Sequence, residues 1–345
     1  MKICFIMYPW KNIDPETDST LRLIHEAASR GHTVAVTTVH NLTIRESVTS
    51  AFCSIITSKN ACSKNTTSFY RQVEFKKHRF PLAGFDIIFM RANPPLDTLA
   101  LNFLDSIHSD VFIINDINGL RVANNKLYTA SFQDSANQFI PKTYVSKNRE
   151  YLEQVLMESE QEKMIMKPLN SYGGRGVIVI EKRASQSVRS LLDFYIGEQD
   201  KENYVILQEY VPGAEEGDIR ILMLNGEAIG AMRRVPSKDD VRSNVHAGGT
   251  VMKHNLSQQE KRLCKHIGPK LVRDGLYFVG LDVIHDKLIE VNVLSPGGIT
   301  RINSLNRTRL QKNVIDFVES VVNAKELVHH RKNKYKKVIE DAEVV

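Results

Sequence analysis

Twenty consecutive residues carry most of the information about the fold and chemistry of this chain. They read Val279-Gly-Leu-Asp-Val-Ile-His-Asp-Lys-Leu-Ile-Glu-Val-Asn-Val-Leu-Ser-Pro-Gly-Gly298. The apolar residues on both sides of His285-Asp-Lys287 predict two short strands joined by a three-residue turn. That register sets Asp282 opposite Glu290, with their Cβ atoms about 5 Å apart, and Asn292 shares the same face.

Three hard oxygen ligands on one face of a hairpin predict a magnesium site. Magnesium usually takes one or two carboxylates from a protein, while waters and substrate phosphates complete its shell. The alternative is a solvated hairpin with polar residues facing outward, but two uncompensated carboxylates opposed across strands would repel each other. We therefore expect Asp282, Glu290 and Asn292 to hold Mg²⁺, or Mn²⁺ in its place.

Length and composition indicate the class of protein. The chain has 345 residues, which is long for one hydrophobic core and predicts a two- or three-domain α/β enzyme. The apolar run at its start, Ile3 to Met7, is too short for a signal peptide core or a membrane span. The four cysteines show neither metal-type spacing nor a dense disulfide framework. We expect a cytoplasmic protein with free thiols, no zinc and no membrane partner.

The charge balance bears on possible partners. The formal net charge is +6, and five Lys and Arg against three Asp and Glu give residues 331–345 a share of +2. A mildly basic body suits a protein that binds phosphates and carboxylates, although Lys and Arg clusters are more often a solvated face. The basic run from His329 to Lys337 has one aromatic residue and no nucleic-acid-binding module around it. We expect no nucleic-acid partner and a disordered basic tail over residues 328–345.

Periodicity predicts three structural units before this tail. Residues 1–120 alternate strands with helices such as Asp18 to Arg30, which is typical of a Rossmann-like domain with a parallel sheet. Within it, Asn41 to Lys77 is polar and lacks a clear period, which predicts a long loop or weakly ordered insertion. Residues 121–203 carry a glycine-rich loop between two strands, and residues 204–327 contain the magnesium hairpin.

The glycine-rich segment Ser171-Tyr-Gly-Gly-Arg-Gly176 joins two predicted strands. It is therefore neither a P-loop nor a dinucleotide fingerprint, because both of those open a helix. Glycines let backbone amides approach phosphate oxygens, but the segment alone fits a structural hairpin turn equally well. Lys167, on the strand just upstream, can reach a phosphate as a point charge, and it favours the phosphate-binding interpretation.

Several cations accompany the hairpin along the chain. Lys126 follows the first unit, and Arg220, Arg234 and Arg242 precede the hairpin. Each of them alone is typical of a surface residue. Because Arg binds carboxylate or phosphate bidentately, the arginines and the magnesium hairpin together indicate a site that holds several anions at once.

An ordered series of short motifs resembles the bacterial glutathione synthetases of the ATP-grasp superfamily. Any one motif is weak evidence. The spacing of the last two motifs is specific when it occurs together with the others: seven residues separate Asp282 from Glu290, one residue separates Glu290 from Asn292, and Ser295-Pro296 follows. The series runs from residue 90 to residue 296 and reads Met90-Arg-Ala-Asn-Pro-Pro-Leu-Asp97, Asn124-Asn-Lys-Leu-Tyr-Thr-Ala130, Lys167-Pro-Leu169, Gly173-Gly174, Gly217-Asp-Ile-Arg220, Arg234-Val-Pro236, Arg242-Ser-Asn244, Ala247-Gly-Gly249, Ile267-Gly-Pro269, Val279-Gly-Leu-Asp282 and Glu290-Val-Asn-Val-Leu-Ser-Pro296.

The resemblance implies an α/β chain with the ATP-grasp fold behind an N-terminal Rossmann-like domain. ATP would lie between a lid subdomain, residues 121–203, and a C-terminal subdomain, residues 204–327. The catalytic groups it implies are Arg220, Arg234 and Asn292. The ATP contacts it implies are Lys126, Lys167, Tyr172, Gly173, Gly174, Gln208, Glu209, Tyr210 and Val211. The substrate contacts it implies are Asp18, Ser19, Arg91, Arg234, Arg242, Asn244, Ser295, Gly297 and Gly298.

The implied activity is ATP-dependent ligation of a carboxylate to an amine, most simply γ-glutamylcysteine to glycine, by a homodimer or homotetramer acting on small molecules. One departure bears on the acceptor. Gly297-Gly298 follows Ser295-Pro296, where better-known members place a Thr-Cys pair. A related ligase with another acceptor amine or peptide is therefore an alternative. A catalytically silent nucleotide-binding regulatory module is a second, although a sensor has no need of the full phosphate and metal set.

Overall fold

The computed structural model describes residues 1–57, 65–169, 176–182, 185–197, 203–236 and 249–342. They divide into two compact units. The first comprises Met1–Asn93, Asp97–Ile117 and Thr308–Val345, and the second comprises Pro94–Leu96 and Asn118–Arg307. The two predicted subdomains, residues 121–203 and 204–327, therefore fall mainly within one compact unit. The C-terminal segment from Thr308 belongs to the first unit.

The first unit alternates strands and helices around one sheet, and a long C-terminal helix returns to it. Its elements are β1 (Lys2–Met7), α1 (Ser19–Ser29), β2 (Thr33–Thr37), β3 (Leu42–Arg45), β4 (Val48–Ile56), α2 (Thr66–Gln72), β5 (Phe75–Pro81), β6 (Ile87–Arg91), α3 (Thr98–Asp105), β7 (Phe112–Ile114) and α10 (Leu310–Ala342).

The centre of this sheet is parallel, as the sequence predicts. The described strands follow the order β3-β4-β2-β1-β6-β7, with β5 beside β4, and β2, β1, β6 and β7 run parallel. The near-continuous apolar sequence of β1 is typical of a strand buried on both faces. Asp18 caps α1, because its side chain accepts a hydrogen bond from the Leu21 backbone N–H at 2.7 Å.

The polar segment Asn41 to Lys77 is not the long loop that its composition predicts. Its described residues form β3, β4, α2 and the first part of β5, and the three strands pair antiparallel to one another and to β2. The prediction was wrong because β4 is built partly of Ser and Thr, which fit a strand without giving an apolar period. Their hydroxyls find partners, as where Thr49 Oγ1 lies 2.6 Å from Ser106 Oγ.

The expected disordered tail at residues 328–345 is helical as far as Ala342, the last described residue. The segment contains no Gly or Pro and is rich in Lys, so its helix propensity is good. The first half of α10 anchors it, with Val314, Ile315 and Val318 fully buried. Within the part of the chain that the structure describes, no helix combines the length and apolar character needed to cross a bilayer.

The second unit contains two antiparallel sheets with helices packed on them. The described strands of one sheet follow the order β10-β9-β11-β8, and those of the other follow β14-β13-β12-β15-β16. The elements are α4 (Ile117–Ala123), α5 (Leu127–Ala130), β8 (Thr143–Ser146), α6 (Arg149–Glu158), β9 (Lys163–Pro168), β10 (Ile178–Glu181), α7 (Ser185–Ile196), β11 (Val205–Glu209), β12 (Asp218–Leu224), β13 (Glu227–Val235), β14 (Thr250–Lys253), α8 (Gln258–Arg273), β15 (Phe278–Ile284), β16 (Lys287–Asn292) and α9 (Ile299–Asn306).

Each of these sheets buries an apolar face. In the four-stranded sheet, Met166 and Leu207 pack against Leu152 of α6 and Leu192 of α7. In the five-stranded sheet, alternate residues of β12 and β15 such as Ile221, Leu281 and Val283 are fully buried. Because successive side chains of a strand point to opposite faces, the residues between them line the other side of the five-stranded sheet.

Helix α8 begins with a capping box, as its sequence predicts. Ser257 Oγ accepts a hydrogen bond from the Glu260 backbone N–H at 3.0 Å, and the Glu260 carboxylate accepts one from the Ser257 N–H at 2.7 Å. Replacing Ser257 with Ala should therefore lower the free energy of unfolding by about 1 kcal/mol. Urea denaturation followed by circular dichroism measures the change.

The control for this prediction is Ser320→Ala. Ser320 lies inside α10, where its exposed hydroxyl donates only to the Asp316 carbonyl one turn earlier. Its loss should leave the urea midpoint nearly unchanged. Equal midpoints for Ser257→Ala and the unmodified chain would show that the capping box does not stabilise α8.

Candidate active site

A row of charged side chains crosses the five-stranded sheet on the face opposite its apolar core. Arg220 on β12 pairs in register with Asp282 on β15, and Asp282 pairs in register with Glu290 on β16. Asn292 follows two residues after Glu290 and shares its face. The predicted cross-strand pairing of Asp282 with Glu290 is confirmed.

The pairing of Asp282 with Glu290 is the predicted one, but a different turn produces it. The turn between β15 and β16 has two residues, His285 and Asp286, with φ of 47° and 65°. Ile284 pairs with Lys287 across it. A register shift follows, which makes Ile289 an extra residue on β16 and brings Glu290 opposite Asp282. A two-residue turn with a bulge thus replaces the predicted three-residue turn.

The hairpin of β12 and β13 is built in the same way. Its turn, Asn225-Gly226, has φ of 49° and 82°, as type I′ turns require. A register shift at Leu222 and Met223 then brings Arg234 opposite Asp218. Gly217 allows the close approach of these strands, since its φ is +102° and a Cβ atom there would lie 1.9 Å from the Arg234 carbonyl oxygen.

The centre of the site is the carboxylate of Asp282. Arg220 donates two hydrogen bonds to it, from Nε to Oδ1 at 2.6 Å and from Nη2 to Oδ2 at 3.1 Å. Arg234 Nη2 lies 2.9 Å from Oδ1, and Asn292 Nδ2 donates to Oδ2 at 3.1 Å. Burial acts to raise the pKa of Asp282, but the two guanidinium groups outweigh it and hold that pKa at about 2. Asp282 is therefore ionised at any working pH.

Asp218 completes this charged group, although the sequence reasoning did not select it as a site residue. It is buried, it accepts a hydrogen bond from Arg234 Nε at 2.7 Å, and it also contacts Nη2 of the same arginine. Burial raises its pKa, and the charge of Asp282 adds to that effect against the opposing attraction of Arg234. The alternation in Gly217-Asp-Ile-Arg220, which sets Asp218 and Arg220 on one face, was an available signal.

Two lysines lie near Glu290, at the β16 end of the row of charged side chains. Lys167 on β9 is buried and donates from Nζ to Gln208 Oε1 at 2.9 Å. Lys126 Nζ lies 3.4 Å from Glu290 Oε1. Burial lowers the pKa of Lys167 to about 8, with the positive charge of Lys126 adding to that effect and Glu290 opposing it. The predicted phosphate-binding lysines are thus brought close to the predicted metal ligands.

Backbone contacts hold Lys126 at this position. Its N–H donates to the Leu169 carbonyl at 3.3 Å, just after β9. Helix α5, which begins beside it, is joined to the metal hairpin because Thr129 Oγ1 accepts a hydrogen bond from the Val291 N–H at 3.2 Å. The two lysines and Glu290 are therefore positioned by elements of one compact unit.

The predicted adenine contacts lie at the end of β11. The Gln208 amide bridges from Lys167 to Thr143 Oγ1, to which Nε2 donates at 2.8 Å. The Glu209 carboxylate accepts from the Lys142 N–H at 3.2 Å. The next two residues continue the segment beyond the strand, where the Tyr210 hydroxyl donates to Glu215 at 2.9 Å and Val211 is buried.

The predicted acceptor residues connect the metal hairpin to α9. Ser295 adopts a left-handed conformation with φ of 42°, and Gly298, with φ of +124°, is the N-cap of α9. The Gly297 carbonyl accepts a hydrogen bond from Arg220 Nη1 at 3.4 Å. A Cβ atom added at Gly297 would meet no atom of the described residues within 4 Å, so this stretch leaves open space beside Arg220.

Three predicted substrate residues lie in the first unit, at the carboxyl ends of parallel strands, where α/β sheets commonly bind ligands. Asp18 and Ser19 start α1, and Arg91 ends β6. The structure adds two residues that were not predicted, because the Tyr8 hydroxyl donates to Asp18 and Thr20 Oγ1 accepts from Arg91 Nε at 3.0 Å. Burial lowers the pKa of Arg91 to about 10, against the opposing charges of Tyr8 and Asp18.

Five predicted site residues lie outside the described residues. They are Tyr172, Gly173, Gly174, Arg242 and Asn244.

The donor set of the hairpin fits a hard divalent cation. Among the described residues, no group of three or more His, Cys, Asp and Glu side chains is placed to hold a metal ion. Asp282, Glu290 and Asn292 instead offer two carboxylates and an amide oxygen on one face. This small all-oxygen set leaves coordination positions for phosphate oxygens, as magnesium sites usually do.

Solved structures identify the class of protein that this fold defines. The chain superposes on D-cycloserine synthetase DcsG with a TM-score of 0.60 and 13% identity, over 93% of this chain and 99% of that one. It superposes on the ATP-grasp ligase PsnB with a TM-score of 0.58 and 14% identity, over 92% and 97% of the two chains. The chain therefore has the ATP-grasp fold, as predicted.

Sequence comparisons identify the family. A model of the prokaryotic glutathione synthetase ATP-grasp domain matches residues 125–307, and a model of the N-terminal domain matches residues 1–121. Glutathione synthetase from Thermosynechococcus vestitus is 35% identical over 93% of this chain and 100% of its own length. The enzyme from Gloeobacter violaceus is 34% identical over 92% and 96% of the two chains. The chain belongs to the prokaryotic glutathione synthetase family, whose members use ATP and a divalent metal ion.

The two carboxylates of the hairpin should respond differently to removal of their charge. Asp282→Asn leaves Arg220 and Arg234 buried with one carboxylate fewer, and breaking a buried ion pair typically costs about 3 to 5 kcal/mol. Glu290 is more exposed, so Glu290→Gln should change the free energy of unfolding by less than about 1 kcal/mol. Both variants should lose most metal-dependent turnover.

Thermal and urea unfolding of the two variants measure this difference. Glu227→Gln, at the exposed start of β13, is the control for loss of an acidic charge on the same sheet. Equal stability of Asp282→Asn and Glu290→Gln would contradict the buried network. Turnover near that of the unmodified chain in either variant, at saturating magnesium, would contradict the metal site.

The lowered pKa of Lys167 predicts a pH dependence of nucleotide binding. Below about pH 8 the lysine is charged and can pair with a phosphate, whereas above it the free protein loses that proton. The dissociation constant for ATP should therefore increase as the pH rises through about 8. Calorimetric titration measures it, with Lys167→Met as the variant in which this pH dependence disappears. An affinity that stays constant across this range would contradict the assigned role of Lys167.

Proposed function

We propose that this chain is an ATP-dependent ligase that joins the carboxylate of γ-glutamylcysteine to the amine of glycine and so forms glutathione. The observation that carries the proposal is the convergence of Lys126, Lys167 and Arg220 on the oxygen ligands Asp282 and Glu290 within one compact unit. Family membership and the names of the curated relatives support the choice of substrates.

The chemistry explains why such a site is needed. A carboxylate is a poor electrophile, so it first takes the γ-phosphoryl group of ATP, which yields an acyl phosphate and ADP. The amine nitrogen then attacks the acyl carbon, the C–O bond to phosphate breaks, and inorganic phosphate leaves as the nitrogen loses a proton. Bringing the anionic carboxylate to the anionic phosphoryl group is the main obstacle, and positioned cations reduce it.

The charges of the site suit this task. Four cationic side chains, those of Lys126, Lys167, Arg220 and Arg234, face three carboxylates, those of Asp218, Asp282 and Glu290. Asp282, Glu290 and Asn292 would hold a divalent ion, Mg²⁺ or Mn²⁺, which would further neutralise the phosphate oxygens. The paired aspartates hold both guanidinium groups in place, so these are ready to stabilise the transferred phosphoryl group.

The remaining contacts follow from the family resemblance. Gln208, Glu209, Tyr210 and Val211 contact the adenine, and Tyr172, Gly173 and Gly174 cover the phosphates and keep water from the acyl phosphate. The peptide and acceptor are bound by Asp18, Ser19, Arg91, Arg234, Arg242, Asn244, Ser295, Gly297 and Gly298.

The proposal includes the setting of the enzyme. Cys4, Cys53 and Cys264 are free thiols, which suits the reducing cytoplasm where ATP is supplied. We place the enzyme there as a homo-oligomer, either a dimer or a tetramer.

A direct assay tests the activity. The purified chain with ATP and magnesium should release phosphate only when both γ-glutamylcysteine and glycine are present, and mass spectrometry should detect glutathione. Phosphate release that requires neither substrate, or binding of ATP without any product, would contradict the proposal. The second of these results would instead support a silent nucleotide-binding module.

The open space at Gly297 predicts a wider choice of acceptor. An added methylene is typically worth only about 1 to 3 kcal/mol in discrimination, and a Cβ atom at Gly297 would meet no described atom within 4 Å. Alanine or serine should therefore replace glycine with measurable kcat/KM when γ-glutamylcysteine is the fixed donor. Gly297→Ala, which adds one methyl group to this space, should restore preference for glycine. Strict use of glycine by the unmodified enzyme would contradict the wider pocket and leave the ligase assignment intact.

A further inference from the structure

Helix α10 extends well past the residues that anchor it. Val314, Ile315, Val318 and Val322 are buried against the first unit. Every residue from position 323 to position 339 is exposed. At 1.5 Å per residue, this exposed half of α10, residues 323–339, is about 25 Å long. It also lies beyond both family matches, which end at residues 307 and 121.

The exposed half of α10 carries large apolar side chains that a helix in water does not need. Their spacings along the chain place them on one face of the helix, where they form an apolar stripe. The stripe consists of Leu327 (71% exposed), Val328 (54%), Tyr335 (58%), Val338 (59%) and Ile339 (61%).

The charges of this segment are unbalanced. Between Lys325 and Ile339 there are six Lys and Arg residues and one Glu, a net charge of +5. At 100° per residue, Lys332 lies along one edge of the apolar stripe and Lys334 along the other, while Arg331 projects from within the stripe. Long cationic side chains at such edges can bury their stems in an apolar layer while the charged ends stay in the polar region above it.

We propose that the exposed half of α10 docks on an anionic lipid surface. The apolar stripe would enter the boundary between headgroups and acyl chains, and the lysines at its edges would pair with anionic headgroups. A basic amphipathic helix with these features lies in the plane of a membrane and does not span it. The expectation of no membrane partner was based on the absence of a spanning segment, and it does not address a helix that lies on a membrane surface.

Two other occupants fit the observations less well. A second copy of the helix would cover the apolar stripe, but it would bring two segments of net charge +5 together. A nucleic acid would neutralise the cations, but it would leave Leu327, Tyr335 and Ile339 in water. An anionic membrane would both cover the apolar stripe and neutralise the cations. The proposal is independent of the ligase chemistry, because no residue assigned to catalysis or binding lies in α10.

Flotation of the full chain with lipid vesicles tests the proposal. The chain should float with phosphatidylcholine vesicles that contain phosphatidylserine and bind at least about tenfold more weakly to pure phosphatidylcholine, because several cations contribute. Added salt should weaken the binding. The double substitution Val328→Gln and Ile339→Gln removes part of the stripe without changing charge, and it should reduce binding by about tenfold.

Matched controls separate the stripe from general charge. His329→Gln with Asn333→Gln changes the opposite face, where the two side chains contact each other, and should leave binding unchanged. Lys332→Gln, at the edge of the stripe, should weaken binding several times more than Lys337→Gln, which removes the same charge from the opposite face. Circular dichroism checks that each variant remains helical, and ligase activity without vesicles should stay the same in all of them.

Three outcomes would overturn the proposal. The first is no flotation of the unmodified chain with phosphatidylserine vesicles, a result that needs no variant. The second is binding that falls equally with Lys332→Gln and Lys337→Gln, does not change when the stripe is altered and is displaced by duplex DNA, which would indicate a nucleic-acid surface. The third is a smaller assembly in sedimentation when the stripe is altered without lipid, which would indicate a second copy as the occupant.

Discussion

The buried carboxylate of Asp282 is the constraint on which the candidate site depends. Placing a charge in the interior of a protein costs several kcal/mol unless well-oriented partners compensate for the lost water. Arg220 and Arg234 provide that compensation, and Asp218 in turn compensates Arg234. These four residues come from three adjacent strands, so their pairing requires one particular register of β13, β12 and β15.

That register depends on a bulge in each of the two hairpins. Both hairpins have tight two-residue turns, and both shift register by one residue a short distance from the turn. Without the shifts, Asp218 would face Arg233 and Asp282 would face Ile289. Because a one-residue slip moves side chains to the other face of a sheet, the bulges are what place Arg234 and Glu290 on the charged face.

The sequence predicted the local features of this arrangement better than the non-local ones. The Asp18 cap, the capping box at Ser257 and the apolar strands of the first unit follow from adjacent residues, and the structure contains all of them. The pairing of Asp282 with Glu290 was predicted through a three-residue turn, which happens to give the same register as a two-residue turn with a bulge. Asp218 shares a face with Arg220, which the local alternation shows, but its partner Arg234 is brought opposite it only by a bulge that no local signal marks.

Two other differences have compositional causes. The strands between residues 42 and 57 contain enough Ser and Thr to hide their apolar alternation, and their place in the sheet comes from pairing with distant residues. The high charge of the basic C-terminal segment predicts disorder. The segment is helical because it extends a helix whose first half is already anchored, so it does not bear the free-energy cost of nucleating a new helix.

The central claim is that the charged face of β12, β15 and β16 holds a divalent ion together with the phosphates of ATP. Electron paramagnetic resonance of Mn²⁺, titrated into the protein with a non-hydrolysable ATP analogue, tests it most directly, because free and bound Mn²⁺ are counted separately and no turnover is needed. The account predicts bound Mn²⁺ in the unmodified chain and in Glu227→Gln. It predicts at least about tenfold weaker binding in Glu290→Gln, because even residues that only orient a metal ligand typically contribute about tenfold or more to metal affinity. Equal Mn²⁺ binding in Glu290→Gln and the unmodified chain would contradict it.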